Sequence, residues 1–314
     1  RPSIRAISRL DRRDMSAALR LPSASIADMS VWEHRTSRGS YLGDAEGRPL
    51  RLGALARLRE QIARYRDTIV VLSNARFRAA HSAQTLGVLW PMAYPTVLMI
   101  VMSFVFGYVF ETPVEGYPVL LMLGLVPWHF VTHGWTGGMH SLLTHGDIVK
   151  RTAVPPWVVI AARVRSDVYN LGFSALSILP LVAIYPESFR ISPALLLIPF
   201  MIVCLIALVL GLALGSAVLH VLYRDTNYIV DSALIAAFWA TPIIYSLDQV
   251  PGVGRTLMHL NPMATIVEAL RAVVVRGELP AGSVIWSASL GSLAVLVLGI
   301  LVYRTFVPAV SDHV

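Results

Sequence analysis

From Val88 to Phe110 the chain runs without a single Asp, Glu, Lys or Arg. About 20 predominantly apolar residues is the length at which an α-helix crosses the hydrocarbon core of a bilayer, and a helix satisfies its own backbone polar groups there. Similar runs recur at roughly 117–135, 168–185, 193–222, 228–247 and 281–303, so the expected fold is an all-α membrane protein with about six transmembrane helices. Composition agrees: 14% of the 314 residues are charged, against roughly 25% in soluble domains. The fifth run is the weakest, because Asp231 intrudes near one end. Asn261–Gly277 is apolar but too short, and too charged at Glu268, Arg271 and Arg276, to span. It reads as one or two short helices that dip into the outer leaflet and return, which backbone chemistry tolerates only where protein or water shields it.

The excess positive charge is all at one end. Residues 1–85 hold 16 Arg against 8 acids, while the remainder holds 10 basic and 11 acidic residues. Residues 1–56 read as a weakly ordered cytoplasmic tail. In 57–85 Leu58, Ile62, Tyr65, Ile69 and Leu72 recur at helical spacing between Arg57, Arg59, Arg64 and Arg66, which predicts an amphipathic basic helix. Packing against a partner helix is one account of it, and lying in the headgroup plane the better one. Anionic headgroups attract such a segment, so membrane lipids rather than nucleic acid are its expected partner. Residues 86–314 make the transmembrane domain. No apolar stretch precedes Leu86, so the first span is expected to act as its own insertion signal.

Arg and Lys near the span ends set the orientation. Arg76, Arg78, Lys150, Arg151, Arg163, Arg165, Arg224 and Arg304 fall on one side, whereas the loop after the first span carries Glu111 and Glu115 and no base. Both termini of this multi-pass protein are therefore expected in the cytoplasm. Arg255, Arg271 and Arg276 then lie outside, against the rule.

Lys150 is the only lysine and follows Val149, so the chain contains no Gly-Lys-Ser/Thr phosphate loop. It also lacks a His-Glu-x-x-His helix, a Gly-x-Ser-x-Gly elbow and an acidic metal-diphosphate motif. The chain is not expected to be an enzyme or to hold a cofactor. Cys204 stands alone in an apolar run and reads as a small buried residue. His129 and His133 share a helix face, with His140 and His145 beyond. Zinc uses that spacing, but no carboxylate or Cys follows at ligand distance, so polar pore-lining or interfacial roles are favoured and no metal is expected. Trp90 suits an interfacial anchor. Tyr94, Trp128, Phe130, Trp135, Trp239 and Tyr245 suit an aromatic belt, or with His129 the lining of a path whose flat aromatic faces could pack against sugar CH faces. Arg76 and Arg78, with Lys150 and Arg151, form a basic rim able to attract a diphosphate.

The chain resembles the permease subunit of ABC-2 type polysaccharide, O-antigen and teichoic-acid exporters across residues 57–306. The resemblance rests on Gln84-Thr85-Leu86-Gly87-Val88-Leu89-Trp90-Pro91, Tyr117-Pro118 with Gly124-Leu125-Val126-Pro127-Trp128, and Asp147-Ile148-Val149-Lys150-Arg151 with Pro155. Tyr223-Arg224-Asp225-Thr226-Asn227-Tyr228, Pro242-Ile243-Ile244-Tyr245 and Leu260-Asn261-Pro262 complete it. It implies a homodimer docked on two copies of an ATPase subunit that binds ATP and Mg, exporting a lipid-linked (polyprenyl-diphosphate) glycan. It implies further that Ser141–Trp157, with Asp147, Lys150, Arg151 and Pro155, couples to the ATPase. The alternative there is a headgroup-binding loop. Arg224, Asp225 and Tyr228 would form a cytoplasmic bend, Arg224 and Asp225 either pairing with each other or meeting the partner. Asn261, Pro262, Glu268 and Arg271 would make an outer gate region. A drug or small-lipid exporter of the same superfamily is a second reading, weakened by the short Glu111–Gly116 loop. A membrane-embedded glycosyltransferase or acyltransferase is a third, weakened by the missing catalytic motifs. Arg in place of nearly every Lys points to a GC-rich genome, which makes a lipid-linked galactan one candidate glycan.

Overall fold

The structure is a computed structural model that describes residues 54–82, 87–109, 116–146 and 154–310. Every regular element among them is helical. The chain divides into two units, Arg1–Glu60 and Gln61–Val314, and of the first only 54–60 are described, as the opening turns of α1.

Helix α1 spans Ala54–Ser82. Its later turns pack on α4 (Pro156–Leu176) rather than standing free. Tyr65 meets Trp157 edge-on at 5.5 Å, Arg165 donates to Ser73 Oγ, Tyr169 donates to Asn74 Oδ1, and Phe77 stacks on Phe173. The pairings advance in the same direction along both helices, so α1 and α4 run parallel. Packing on a helix therefore describes this part of α1, whereas Ile62 at the head of the apolar stripe stays exposed.

Helix α2 (Trp90–Ser103) opens with Pro91 in its first turn, where a missing N–H costs nothing, and continues as a π-helical stretch over Phe104–Val109. Helix α3 (Tyr117–Thr144) starts after Gly116, whose φ of 67° suits glycine. It runs past the apolar stretch, which ended near Trp135, because its polar residues bond back onto the helix. Thr132, Thr136 and Thr144 hydroxyls each donate to the carbonyl four residues earlier, and Ser141 to the one three earlier.

Helix α4 begins at Pro156, twelve residues before the apolar run expected at 168. Its extra turns are polar yet helical because their charges are matched inside the fold, as described below. After α5 (Leu179–Ile184) and two 3-10 turns comes α6 (Ile198–Leu222), then α7 (Thr226–Trp239). The expected helix to Leu247 stops at Trp239, since Pro242 disfavours helical backbone just before it and lacks an N–H. Short α8 (Gly252–His259) and α9 (Pro262–Arg271, with a π-helical turn to Arg276) precede α10 (Gly282–Val310).

Four stretches are long and apolar enough to cross a membrane: Trp90–Gly107, Pro156–Ile184, Pro193–Leu222 and Gly282–Val310. Helix α3 is 28 residues long but diluted by its histidines and threonines, and α7 is 14 residues long. The core gathers on α3, α6 and α9 around Leu121, Met122, Leu205 and Ile266. Helices α6 and α10 touch backbone to backbone, since a Cβ on Gly299 would collide with the Gly211 carbonyl and one on Gly211 with Val295 and Leu296. Small residues at such a crossing let dispersion and backbone proximity hold helices together where lipid offers no hydrophobic drive.

Candidate functional site

A cavity of about 370 Å³ lies between the C-terminal turn of α1 and helices α2, α3 and α4. Its wall is polar on one side. Asp167, only 3% exposed, accepts from Arg163 Nε at 2.7 Å and from Asn170 Nδ2 at 3.2 Å. Arg163 and Asp167 are one helical turn apart on α4, which is why those turns can be helical although charged. Gly137 of α3 makes the room, because any Cβ there would strike the Arg163 guanidinium. Across the cavity Tyr94 of α2 stacks on His129 of α3 at 5.0 Å, and His129 meets His133 at 4.1 Å. His129 Nδ1 and Asn170 Oδ1 are buried without hydrogen-bond partners among the described residues. Trp90 and Phe130 complete the lining. A hydroxyl-rich ligand would find imidazole rings, an amide side chain and aromatic faces together here.

Arg76 extends the cluster. Its guanidinium lies 3.4 Å from His145 Nε2 at the end of α3. Burial, reinforced by the like charge of Arg163 and opposed by Asp167, brings it down to about 10. Burial beside Arg76 and Arg163 likewise lowers His145, which favours the neutral ring that can accept from Arg76. Arg78, two residues on, stands exposed. The two arginines of the expected rim therefore face different surroundings.

The remaining sequence-derived candidates scatter. Trp128 meets Phe238 of α7 at 5.6 Å, and Trp135 donates to Ser216 while packing with Trp128 against Val230 and Leu234. Trp239 is exposed at the end of α7, its carbonyl accepting from the Tyr245 hydroxyl. The seven proposed lining residues thus occupy three places, with only Tyr94, His129 and Phe130 on the cavity. Arg224, Asp225 and Tyr228 are exposed around the α6–α7 turn. Pro155 caps α4, whereas Asp147, Lys150 and Arg151 lie outside the described residues. Asn261 caps α9, which carries Pro262, Glu268 and Arg271; Asn261 donates to Ala240 and Thr241, and Glu268 pairs with Arg276 at 2.7 Å.

Against known proteins, the model of the ABC-2 type transporter family matches residues 68–275, about two thirds of the chain. The chain belongs to the ABC-2 type transporter family. The match takes in the second half of α1, the whole cavity and α9. Among curated relatives, the O-antigen export system permease protein RfbA of Myxococcus xanthus is 28% identical over 230 residues, 72% of this chain and 87% of its own length. RfbA of Klebsiella pneumoniae is 24% identical over 216 residues, 68% and 82% of the two chains. The polysialic acid transport protein KpsM of Escherichia coli is 23% identical over 242 residues, 76% and 93%. This ABC-2 chain thus holds a buried carboxylate, paired and facing a cavity, that sequence inspection passed over. Asp167 and Arg163 fall between the apolar runs that end near 135 and begin at 168. Pro155-Pro156 is the helix-start signal ahead of them, and their spacing of four puts them on one helix face.

Proposed function

We propose that this chain is the permease subunit of an ATP-driven exporter of lipid-linked polysaccharide in a bacterial inner membrane. The observation that carries the reading is the family match through residues 68–275, together with curated relatives named for O-antigen export and polysialic acid transport. Asp167, Arg163, His129 and His133 support it, since ionisable groups within membrane-spanning helices cluster on substrate paths. In this reading two copies form the conduit and dock on two copies of a separate ATPase, which carries the ATP and Mg. The drive would enter through Ser141–Trp157, and the basic groups Arg76 and Arg78 would attract the diphosphate.

Six crossings fit the reading. Helix α3 supplies a fifth, and α7 a sixth: its 14 residues cover roughly 21 Å at 1.5 Å each. The non-helical stretch Ala240–Ser246 adds the reach to complete a core of about 30 Å. Both termini then face the cytoplasm, and α8 and α9 dip into the outer leaflet.

The test is reconstitution. The purified chain alone should hydrolyse no ATP, and together with its cognate ATPase it should show hydrolysis stimulated by a polyprenyl-diphosphate glycan. Hydrolysis by the chain alone, or surface glycan unchanged after its depletion from cells, would overturn the reading.

A further inference from the structure

At the end of the bundle where α3 begins and α4 ends, an apolar cavity of about 400 Å³ opens between α3, α4, α6 and α9. Every lining residue is apolar, Leu123, Gly172, Ile202 and Val274 among them. Along the chain from Val168 to Leu179 it extends roughly 16 Å at 1.5 Å per residue, about half of a 30 Å core and so the depth of one leaflet. A dry cavity of about 150 Å³ accommodates benzene, so this one has room for roughly sixteen carbons.

Among the described residues, four arginines lie at this end, and one of them, next to the cavity along the backbone, has no ion pair. Arg271 is bonded to carbonyls, Arg276 pairs with Glu268, and Arg255 pairs with Asp248. Arg190 is exposed and has no ion pair among the described residues. Its backbone N–H donates to the carbonyl of Val274 at 2.9 Å, and Val274 lines the cavity. The next residue, Ile191, is 97% exposed and Leu196 83%, an apolar surface that lipid would cover. An apolar slot one leaflet deep under a lone cation matches an anionic amphiphile.

We propose that this cavity holds one acyl chain of an anionic phospholipid whose headgroup phosphate pairs with Arg190. Such a lipid would brace α9 against α4 and α6. The inference needs neither the cargo nor the orientation proposed above, and its test reads lipid contact rather than export.

The experiment places the full chain in phosphatidylcholine nanodiscs. These are doped with a tracer bearing a diazirine on one acyl chain, either phosphatidylglycerol or phosphatidylcholine. After illumination, peptide mapping should find the phosphatidylglycerol tracer several-fold enriched on 168–179 and 198–205 over the exposed α10 face at 290–301. Gly172 lines the cavity and no atom lies within 4 Å of a Cβ built there, so Gly172→Leu has open space for its first carbon and should lower labelling there several-fold. Ala175→Leu is a second filler should the first fold poorly. Arg190→Gln should keep the labelling but abolish the preference for phosphatidylglycerol. Equal labelling of cavity and α10, or labelling indifferent to both fillers, overturns the proposal. So does displacement of the tracer by unlabelled undecaprenyl phosphate but not by unlabelled phosphatidylglycerol, which would make the occupant a carrier lipid.

Discussion

Arg271 of α9 donates to the carbonyl of Ile243 at 2.7 Å, just beyond the point where α7 gives up its helix. The same guanidinium reaches the carbonyls of Tyr245 at 2.9 Å and Leu120 at 3.1 Å. The Tyr117 hydroxyl takes that of Ile244, and Asn261 that of Ala240. A non-helical segment beside lipid is tolerable only when its polar groups are met by protein, and these three side chains meet them. Arg271→Ala leaves the Ile243 and Tyr245 carbonyls without these bonds, at about 1–3 kcal/mol each. Thermal unfolding in detergent should therefore show a loss of roughly 2–6 kcal/mol, and Arg271→Lys, without the planar fork, a smaller one. A melting curve for Arg271→Ala like that of the wild type would mean that the clamp carries no stability.

The Arg163–Asp167 pair separates packing from function. Removing one partner of a buried ion pair costs about 3–5 kcal/mol, whereas replacing both by apolar residues of similar volume is often neutral. Asp167→Ala should unfold early, because Arg163 and Arg76 lose their counter-charge. Arg163→Met with Asp167→Leu should melt near the wild type yet fail to export glycan, since the cavity loses its polar wall. Normal export by a stable double variant would reduce the pair to a folding element.

The outline of this fold was legible from apolar runs because bilayer thickness fixes their length. Where the readings and the structure part, a side chain has supplied something that hydropathy cannot register. Helix α4 starts early because Arg163 and Asp167 cancel each other and Arg165 reaches Ser73. Helix α3 runs on because its threonines bond to their own backbone. Helix α7 stops early at a proline that was in plain view, and the fold accepts the break because Arg271, 28 residues later, caps the freed carbonyls. Tyr94, His129 and Phe130 were picked out as aromatic or polar groups in apolar runs. Asp167, their charged neighbour in the cavity, stands one residue before the apolar run that begins at 168, where hydropathy registers no helix.

Topology follows from the same charges. Reporter fusions after Arg304 should read cytoplasmic and fusions after Glu115 external. A C-terminus read outside would require an odd number of crossings and exclude six.

Lys150 and Arg151 should contact the ATPase if Ser141–Trp157 transmits its stroke. Breaking a desolvated charge contact on one side costs about 2–5 kcal/mol, and a rim contact far less. Reversing both charges should abolish pull-down of the ATPase while insertion persists. Arg255→Glu, whose native partner is the exposed Asp248, should leave assembly intact. Full assembly and export by the reversed loop would confine these residues to lipid headgroups.

Two glycine-to-alanine changes of identical chemistry should act in opposite directions. On α4 a methyl at Gly172 meets nothing within 4 Å, and alanine is favoured over glycine inside a helix by about 0.8–1 kcal/mol. Gly172→Ala should raise the melting temperature slightly. On α10 a methyl at Gly299 meets the carbonyl, carbonyl carbon and Cα of Gly211. Those are backbone atoms of α6 and cannot rotate aside as a side chain could, so the two helices must separate along their whole contact. Overpacking costs about 1–3 kcal/mol where side chains can adjust, and Gly299→Ala should exceed that range, appearing as early unfolding in detergent and poor recovery from membranes. Trimming the other side offers no relief, because Gly211 is already the smallest residue. A Gly299→Ala protein as stable as the wild type would show that α6 and α10 do not touch at this crossing.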